Sequence, residues 1–93
     1  MTKTYKQRAS QRSKIIEGQF KALIEAIESD KYCIDILTQS LAIQQSLRSL
    51  NKLVLENHMH THVKQGLSEG DEKTKQSIID ELLHLYHLSN SKG

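Results

Sequence analysis

The chain has 93 residues, 37% of them hydrophobic, and its only aromatic side chains are three Tyr and one Phe. This length predicts a single domain over residues 1–93. Because so small a chain buries a modest fraction of its surface, we expect it to associate with other copies for stability. An apolar signal region and an 18-residue apolar run are both absent, and a lone Cys excludes an intrachain disulfide. These features predict a cytoplasmic protein without a membrane partner.

The net charge of +2 is unevenly distributed, because five cations precede the first acid, Glu17. These cations are Lys3, Lys6, Arg8, Arg12 and Lys14. Such a run is either the solvated start of a helix or a cationic surface. Repetition of the run in an oligomer would favour a polyanionic partner.

The sequence predicts three helices and no strand, which makes the fold all-α. The first helix should extend from about Tyr5 to Glu28, and Gly18 in its middle should allow another helix to approach closely. Its predicted buried stripe consists of Ile16, Phe20, Leu23 and Ile27, at spacings of 4, 3 and 4. Residues 29–31 form a short polar connection, long enough for an antiparallel helix hairpin.

The second helix should be the long one, from about Tyr32 to Gln65, with neither Gly nor Pro. Its main apolar face consists of Ile36, Ile43, Leu47, Leu50 and Val54. A second apolar edge consists of Leu37, Leu41, Leu55, Met59 and Val63. A helix that is apolar over so wide an arc packs on more than one neighbour.

The end of the second helix is predicted from glycines. Gly66 should be its C-cap, residues 67–71 should form a loop, and Gly70 should be a second helix breaker. The third helix should begin near Asp71 or Glu72, because acids favour a helix N-terminus. Its predicted apolar face consists of Ile78, Ile79, Leu82, Leu83, Leu85 and Tyr86.

One cysteine and two histidines have a spacing that indicates a metal site. His58 and His62 are four residues apart, so one helix face can offer both imidazoles to one ion. Cys33 precedes His58 by 25 positions, which is roughly 37 Å along a straight helix. If two copies of the helix pair antiparallel about an axis near Ser46, Cys33 of one chain lies level with residue 60 of the other. The spacing therefore predicts a symmetric dimer with two Cys-His-His sites.

Each of these residues also has an ordinary structural interpretation. A lone Cys33 is more often a small buried hydrophobe, and two histidines can be plain polar helix residues. His60 points away from both neighbours, so it should be exposed, with a smaller chance of a ligand or supporting role. His84 and His87 fit a solvated helix face.

Three segments resemble the copper-sensitive operon repressors, a family that also contains nickel/cobalt, formaldehyde and persulfide sensors. They are Ile-Glu-Gly-Gln at 16–19, Tyr-Cys-Ile-Asp-Ile-Leu-Thr-Gln at 32–39, and Asn-His at 57–58 followed by His62. The resemblance covers nearly the whole chain. It implies a homotetramer, a dimer of dimers, that binds operator DNA and releases it when its ligand binds. It also implies control of a metal exporter. Because the sequence shows no nucleophile–base pair with supporting context, we expect neither an enzyme nor a small-molecule substrate.

The resemblance further implies residues that couple the metal site to the rest of the protein. Tyr32, before the cysteine, and Glu81, on the third helix, match coupling positions of copper-sensing members. The physical role of Glu81 would be a hydrogen bond to the free nitrogen of a ligating His. The alternative is that Glu81 is a surface acid.

For DNA binding, Arg12 and Lys14 match basic positions of the family on the first helix, and Arg8 extends that patch. Arg48 and Lys52 are the basic candidates on the second helix. The family's usual arginine there falls at Ser49.

Among ligands, Cu(I) ranks first, because it favours sulfur and tolerates three-coordinate sites. Ni(II)/Co(II) ranks second, although those sensors add an N-terminal His that is missing here. Zn(II) ranks third and could complete a tetrahedron with water or His60. Thr2 stands where formaldehyde sensors have Pro, and His62 stands where persulfide sensors have Cys. Two other functions stay open, a metal buffer or chaperone without a DNA role and a structural bundle; DNA binding relieved by metal would distinguish the repressor.

Overall fold

The computed structural model describes residues 3–90, and within this range all regular structure is helical. Its elements are α1 (Lys3–Glu28), α2 (Cys33–His58), a π-helical turn (Met59–Val63), α3 (Lys64–Glu69) and α4 (Glu72–Ser89). Because α2, the π turn and α3 follow one another without a loop, they form the long second helix of the three that the sequence predicts. The all-α, three-helix fold is therefore confirmed. Thr2 lies outside the described residues, and none of the helices described is long and apolar enough to span a bilayer.

The chain divides between Asn57 and His58 into two compact units. The N-terminal unit contains α1 and nearly all of α2, and the C-terminal unit contains the π turn, α3 and α4. The assignment of residues 1–93 to a single domain stays a prediction.

The connection between α1 and α2 is a compact turn centred on Asp30, whose φ of 55° is left-handed. The N–H of Lys31 donates to the carbonyl of Ala26 at 3.0 Å, and that of Asp30 donates to the carbonyl of Ile27 at 3.2 Å. These two bonds satisfy carbonyls that the end of α1 leaves without helical partners. The predicted short polar connection is thus confirmed, with an aspartate where glycine is usual.

The core of the helix hairpin is small, and on α1 it includes only part of the predicted stripe: Ile16 is buried and Leu23 is half-buried. The buried apolar side chains of the N-terminal unit are Ala9, Ile16, Ala26, Ile43 and Leu53. Phe20 and Ile27 were expected to be buried, but they are 44% and 53% exposed in the protomer. The buried line instead ends at Ala26, one position before Ile27.

The face of α2 is shifted in a similar way. Leu47 and Val54 belong to the predicted main face but are exposed in the protomer, as are Leu37 and Leu41 of the second edge. Gly18 was expected to admit another helix, yet within the protomer nothing comes within 4 Å of a Cβ built there. These surfaces of the hairpin therefore lie open in a single copy.

In the C-terminal unit, the prediction of a C-cap at Gly66 is wrong. The helix continues to Glu69, and Gly70 takes the cap position with φ −75° and ψ 159°. Gly66 lies inside α3, where a Cβ would come within 2.2 Å of Cδ1 of Ile78 on α4. Glycine at this position lets Ile78 pack closely against the backbone of α3, which the sequence signal for a helix end does not distinguish.

The start of α4 agrees with the prediction. Asp71 is its N-cap, and Oδ1 of Asp71 accepts a 2.8 Å hydrogen bond from the N–H of Thr74. Hydrogen bonds from the backbone and the side chain of Thr74 lower the pKa of the Asp71 carboxyl. Of the predicted apolar face, Ile78 and Leu82 are half-buried, whereas Ile79, Leu83, Leu85 and Tyr86 are exposed in the protomer.

Candidate functional site

The two predicted imidazole ligands lie side by side at the π turn. Their ring centroids are 5.3 Å apart, and the ring planes are inclined by 37°. His58 is the last residue of α2, and the turn that follows is widened, because the N–H of Lys64 donates to the carbonyl of Met59 five positions back. Val63, the last residue of the turn, is buried with only 1% of its surface exposed, and it anchors the turn in the core of the C-terminal unit. Single π turns are frequent at functional sites, which agrees with the predicted role of His58 and His62.

Glu81 approaches the first of these rings from α4. Its Oε2 atom lies 4.0 Å from Nε2 of His58, in a part of the surface where both side chains are partly exposed. This separation is longer than a hydrogen bond, but a small side-chain rotation would close it. Because Nε2 of His58 faces Glu81, the other nitrogen, Nδ1, is the one left for a different partner. The structure thus places Glu81 beside the residue that it was predicted to contact.

Cys33 is a free, exposed thiol at the first position of α2. The carbonyl of Tyr32 accepts the N–H groups of Asp35 and Ile36, and the Tyr32 side chain is 71% exposed. Cys33 and His58 occupy opposite ends of a helix of 26 residues, roughly 37 Å long. Within residues 3–90, no three His, Cys, Asp or Glu side chains are grouped closely enough to hold a metal ion. The structure therefore places His58 beside His62 and beside Glu81, and Cys33 lies at the other end of α2 from His58.

The remaining histidines lie on open surfaces. His60 is exposed, as predicted, on the π turn between the other two. His84 and His87 are exposed on α4, and the ring of His87 lies 6.2 Å from that of Tyr86 in an edge-on arrangement. No contact of these three residues joins them to the imidazole pair in the part of the chain that the structure describes.

The predicted basic residues differ in how firmly they are held. Lys14, Arg48 and Lys52 are exposed, and the guanidinium carbon of Arg8 lies 6.0 Å from the centre of the Tyr5 ring. Arg12 is half-buried, and its Nη1 donates a hydrogen bond across the hairpin to Oγ of Ser49.

Sequence reasoning treated Ser49 only as a departure from a family pattern and missed this contact. A signal was present, since Ser46 and Ser49 are three residues apart on α2, where they interrupt the apolar face.

Comparison with known proteins identifies the family. Residues 5–87 match the family model described as metal-sensitive transcriptional repressor. The chain belongs to this family. Since its members are transcriptional repressors, the prediction that the chain is not an enzyme is confirmed, as is the resemblance noted in the sequence.

Two curated relatives are copper-sensing transcriptional repressors named CsoR. The protein from Bacillus subtilis is 35% identical over 81 residues, which cover 87% of this chain and 77% of the relative. The protein from Mycobacterium ulcerans is 36% identical over 78 residues, which cover 84% of this chain and 64% of the relative. The chain thus spans somewhat less than two thirds of the mycobacterial protein.

Two solved structures resemble the fold of the chain. The copper-sensing repressor CsoR with Cu(I) from Geobacillus thermodenitrificans has a TM-score of 0.78 and 32% identity, covering 92% of this chain and 91% of that one. A variant of the formaldehyde-responsive regulator FrmR from Salmonella enterica has a TM-score of 0.80 and 29% identity, covering 94% and 96%. Both similarities extend over nearly the whole chain.

Proposed function

We propose that this member of the family is a Cu(I)-responsive repressor. It binds operator DNA in the metal-free form and releases it when Cu(I) occupies an intersubunit site of Cys33, His58 and His62, which derepresses metal efflux. The observation that carries the proposal is the pair of imidazoles 5.3 Å apart on a π turn. In a family of metal-sensitive repressors, such a pair is the natural core of the sensing site.

The donor set supports a soft, low-coordinate ion. Cys33 is accessible and offers a thiolate, and His58 and His62 are close enough to direct one nitrogen each at the same ion. Thiolate and imidazole donors suit Cu(I), which accepts few ligands, better than they suit Mg(II) or Ca(II). The named relatives sense copper, and one of the similar structures contains Cu(I).

The position of the thiol supports a site shared by two copies. Cys33 begins α2 and His58 ends it, so an antiparallel pair of these helices would bring unlike ends together. Exposed apolar side chains on the hairpin, such as Leu37, Leu41 and Ile24, provide a surface for such pairing. We propose a homodimer of this kind, assembled into a dimer of dimers in the cytoplasm.

The contact of His58 with Glu81 supports a route for the signal. A bound cation would supply a fixed positive centre at Nδ1 of His58. The ring would then keep its proton on Nε2, where the Glu81 carboxylate can accept it in a hydrogen bond. Glu81 belongs to α4, so the orientation of the ring is linked to the third helix, while Tyr32 and His60 are candidates for supporting contacts.

The DNA-binding surface that we propose is formed by cations of the two hairpin helices, α1 and α2. Phosphates would be neutralised by half-buried Arg12 and by four exposed cations, which are Arg8, Lys14, Arg48 and Lys52. Affinity of this kind falls steeply with salt, because each neutralised phosphate releases counterions.

A mixing experiment tests the shared site. Cys33→Ala chains and His58→Ala chains are co-refolded in equal amounts, and Cu(I) binding is titrated against a chelator. Each parent should lack tight binding, whereas mixed dimers should regain one intact site of two. Random mixing then recovers about one quarter of the wild-type capacity.

If mixed dimers, verified by mass, bind no Cu(I), the shared site is wrong. Parallel titrations with Ni(II) and Zn(II), each followed by DNA binding, distinguish the other metals. A protein that binds Cu(I) but never DNA would instead be a metal buffer.

A further inference from the structure

We propose that Ser49 is a positioning residue for DNA binding, and that with Arg12 it forms a clamp for one backbone phosphate. This inference rests on the proposed function, since it takes DNA as the partner. Arg12 and Ser49 are 37 positions apart in sequence, on α1 and α2, and the side chain of Arg12 joins them across the hairpin. Ser49 is not among the residues that the sequence predicts to bind DNA.

The hydrogen bond lies on an open groove between the two helices. The groove is lined by Arg12, Ile15, Ile16, Gln19, Ala42, Gln45, Ser46 and Ser49. Arg12 is the only charged residue in this lining, so no carboxylate there neutralises its guanidinium. A cation without a local counterion beside hydroxyl groups is suited to an anion, and a planar guanidinium suits phosphate in particular.

The hydrogen-bonding capacity of the pair is not exhausted by their mutual contact. A guanidinium has five N–H donors, of which Ser49 uses one. The hydroxyl of Ser49 accepts one of these N–H groups and holds the guanidinium in place. Arg12 can thus donate its remaining N–H groups to a phosphate while it stays bonded to Ser49.

The half-burial of Arg12 gives the pair an advantage over the exposed lysine nearby. Ordering a long, mobile side chain at an interface costs free energy, and a side chain that is already held loses less. Arg12 is held by Ser49 and by the groove, whereas Lys14 is exposed. Ser49 therefore contributes to DNA affinity largely through Arg12.

A double-mutant cycle tests this dependence. Affinity for a duplex from the region upstream of the chain's own gene is measured by fluorescence anisotropy over a series of salt concentrations. The proteins are the wild type, Arg12→Ala, Ser49→Ala and the double variant. Ser49→Ala should weaken binding about fivefold, the size of a typical net hydrogen bond, and Arg12→Ala should weaken it at least tenfold, as expected for hydrogen bonds to a charged group.

The decisive result is the behaviour of the double variant. It should bind no more weakly than Arg12→Ala, because Ser49 then has no guanidinium to position. The slope of log affinity against log salt should fall by about 1 in Arg12→Ala and stay unchanged in Ser49→Ala, which keeps the cation.

Matched variants separate positioning from a general structural effect. Ser49→Thr keeps a hydroxyl and should restore binding, and Ser46→Ala, which removes a hydroxyl from the same groove, should show no coupling to Arg12. Light scattering and thermal unfolding verify that each variant assembles and folds.

Additive losses in the double variant, or wild-type affinity in Ser49→Ala, would overturn the clamp and leave the proposed repressor intact. Failure of the wild type to bind DNA would overturn both.

Discussion

The two units of the chain use their turns in opposite ways. In the N-terminal unit, the left-handed backbone at φ 55° is occupied by Asp30, where glycine would be the usual residue. In the C-terminal unit, Gly70 has an ordinary φ of −75°, yet a Cβ on it would lie 2.4 Å from the carbonyl oxygen of Gly66. Gly66 and Gly70 thus mark places where atoms approach closely, whereas the unusual backbone conformation is at Asp30.

The units also distribute their functional groups differently. The hairpin presents Cys33 alone at one end of α2 and the Arg12–Ser49 pair in its groove. The C-terminal unit groups two imidazoles with a carboxylate through a π turn and α4. The proposed function assigns the soft ligand and the DNA surface to the first unit and the ring-orienting contact to the second.

The largest effect should come from removing the only metal donor of the hairpin. Cys33→Ala should weaken Cu(I) binding by more than about 100-fold, since losing a ligand costs more than losing an outer partner. DNA affinity without metal should be retained, so the variant represses permanently. His87→Ala, which removes an exposed imidazole on α4, is the matched control and should behave as wild type in a Cu(I) and DNA titration. Release of DNA from Cys33→Ala at wild-type Cu(I) concentrations would remove Cys33 from the site.

Glu81→Ala should separate Cu(I) binding from the release of DNA. We expect Cu(I) affinity within about tenfold of wild type, because Glu81 supports His58 and is not itself a ligand. The ratio of the DNA affinity without Cu(I) to that with Cu(I) measures the coupling, which is typically about 1–3 kcal/mol. In Glu81→Ala this ratio should fall to about 1. Both affinities are measured at one salt concentration, with Glu72→Ala at the start of α4 as the control. A wild-type ratio in Glu81→Ala would make Glu81 a plain surface acid.

The two glycines of the C-terminal unit should differ in their tolerance of alanine. Gly70→Ala should lower the free energy of unfolding by about 1–3 kcal/mol, because the new Cβ meets a backbone oxygen that cannot move aside. Gly66→Ala forces only the end of Ile78 to rotate, at about 1 kcal/mol, and gains about 1 kcal/mol of helix propensity. Urea unfolding measures both, and equal losses would contradict this account.

Asp30→Gly tests the turn of the N-terminal unit. Replacing a residue with a Cβ by glycine at φ 55° should raise the free energy of unfolding by about 0.5–1 kcal/mol. Asp30→Ala, which keeps the Cβ but loses the carboxylate, should not be stabilising. Thermal and urea unfolding of the three proteins provide the measurement, and destabilisation by glycine would show that the Asp30 side chain matters more than the backbone.

The smallest effect concerns Asp71 and depends on pH. Because hydrogen bonds from Thr74 lower the pKa of this carboxyl, its contribution is complete above its ordinary pKa. That contribution is lost as the pH falls through the lowered value. Asp71→Asn keeps a capping oxygen without titrating, so the difference in melting temperature between wild type and variant should change on acidification. A constant difference between neutral and acidic pH would exclude this role.

The sequence by itself determined the helices, the beginning of α4 and the spacing of Cys33, His58 and His62. These depend on local rules: the hydrophobic period, the absence of Pro, an acidic N-cap, and about 3.6 residues per helical turn. The segments at 16–19 and 32–39, and Asn-His at 57–58 with His62, also carried the resemblance to the family, which the comparison with known proteins confirmed.

Only the tertiary structure decided which side of each helix is buried. On a helix that is apolar over a wide arc, a shift of one position keeps the periodicity, so the pattern does not decide whether Ala26 or Ile27 is buried. Likewise, the helix propensity of glycine predicts a helix end at Gly66. Its close contact with α4 is seen only in the tertiary structure, where Ile78 packs against it. The partner of Arg12 lies 37 positions away, and the partner of His58 lies on another helix. Such pairs depend on how helices pack, which the local rules of a single sequence do not contain.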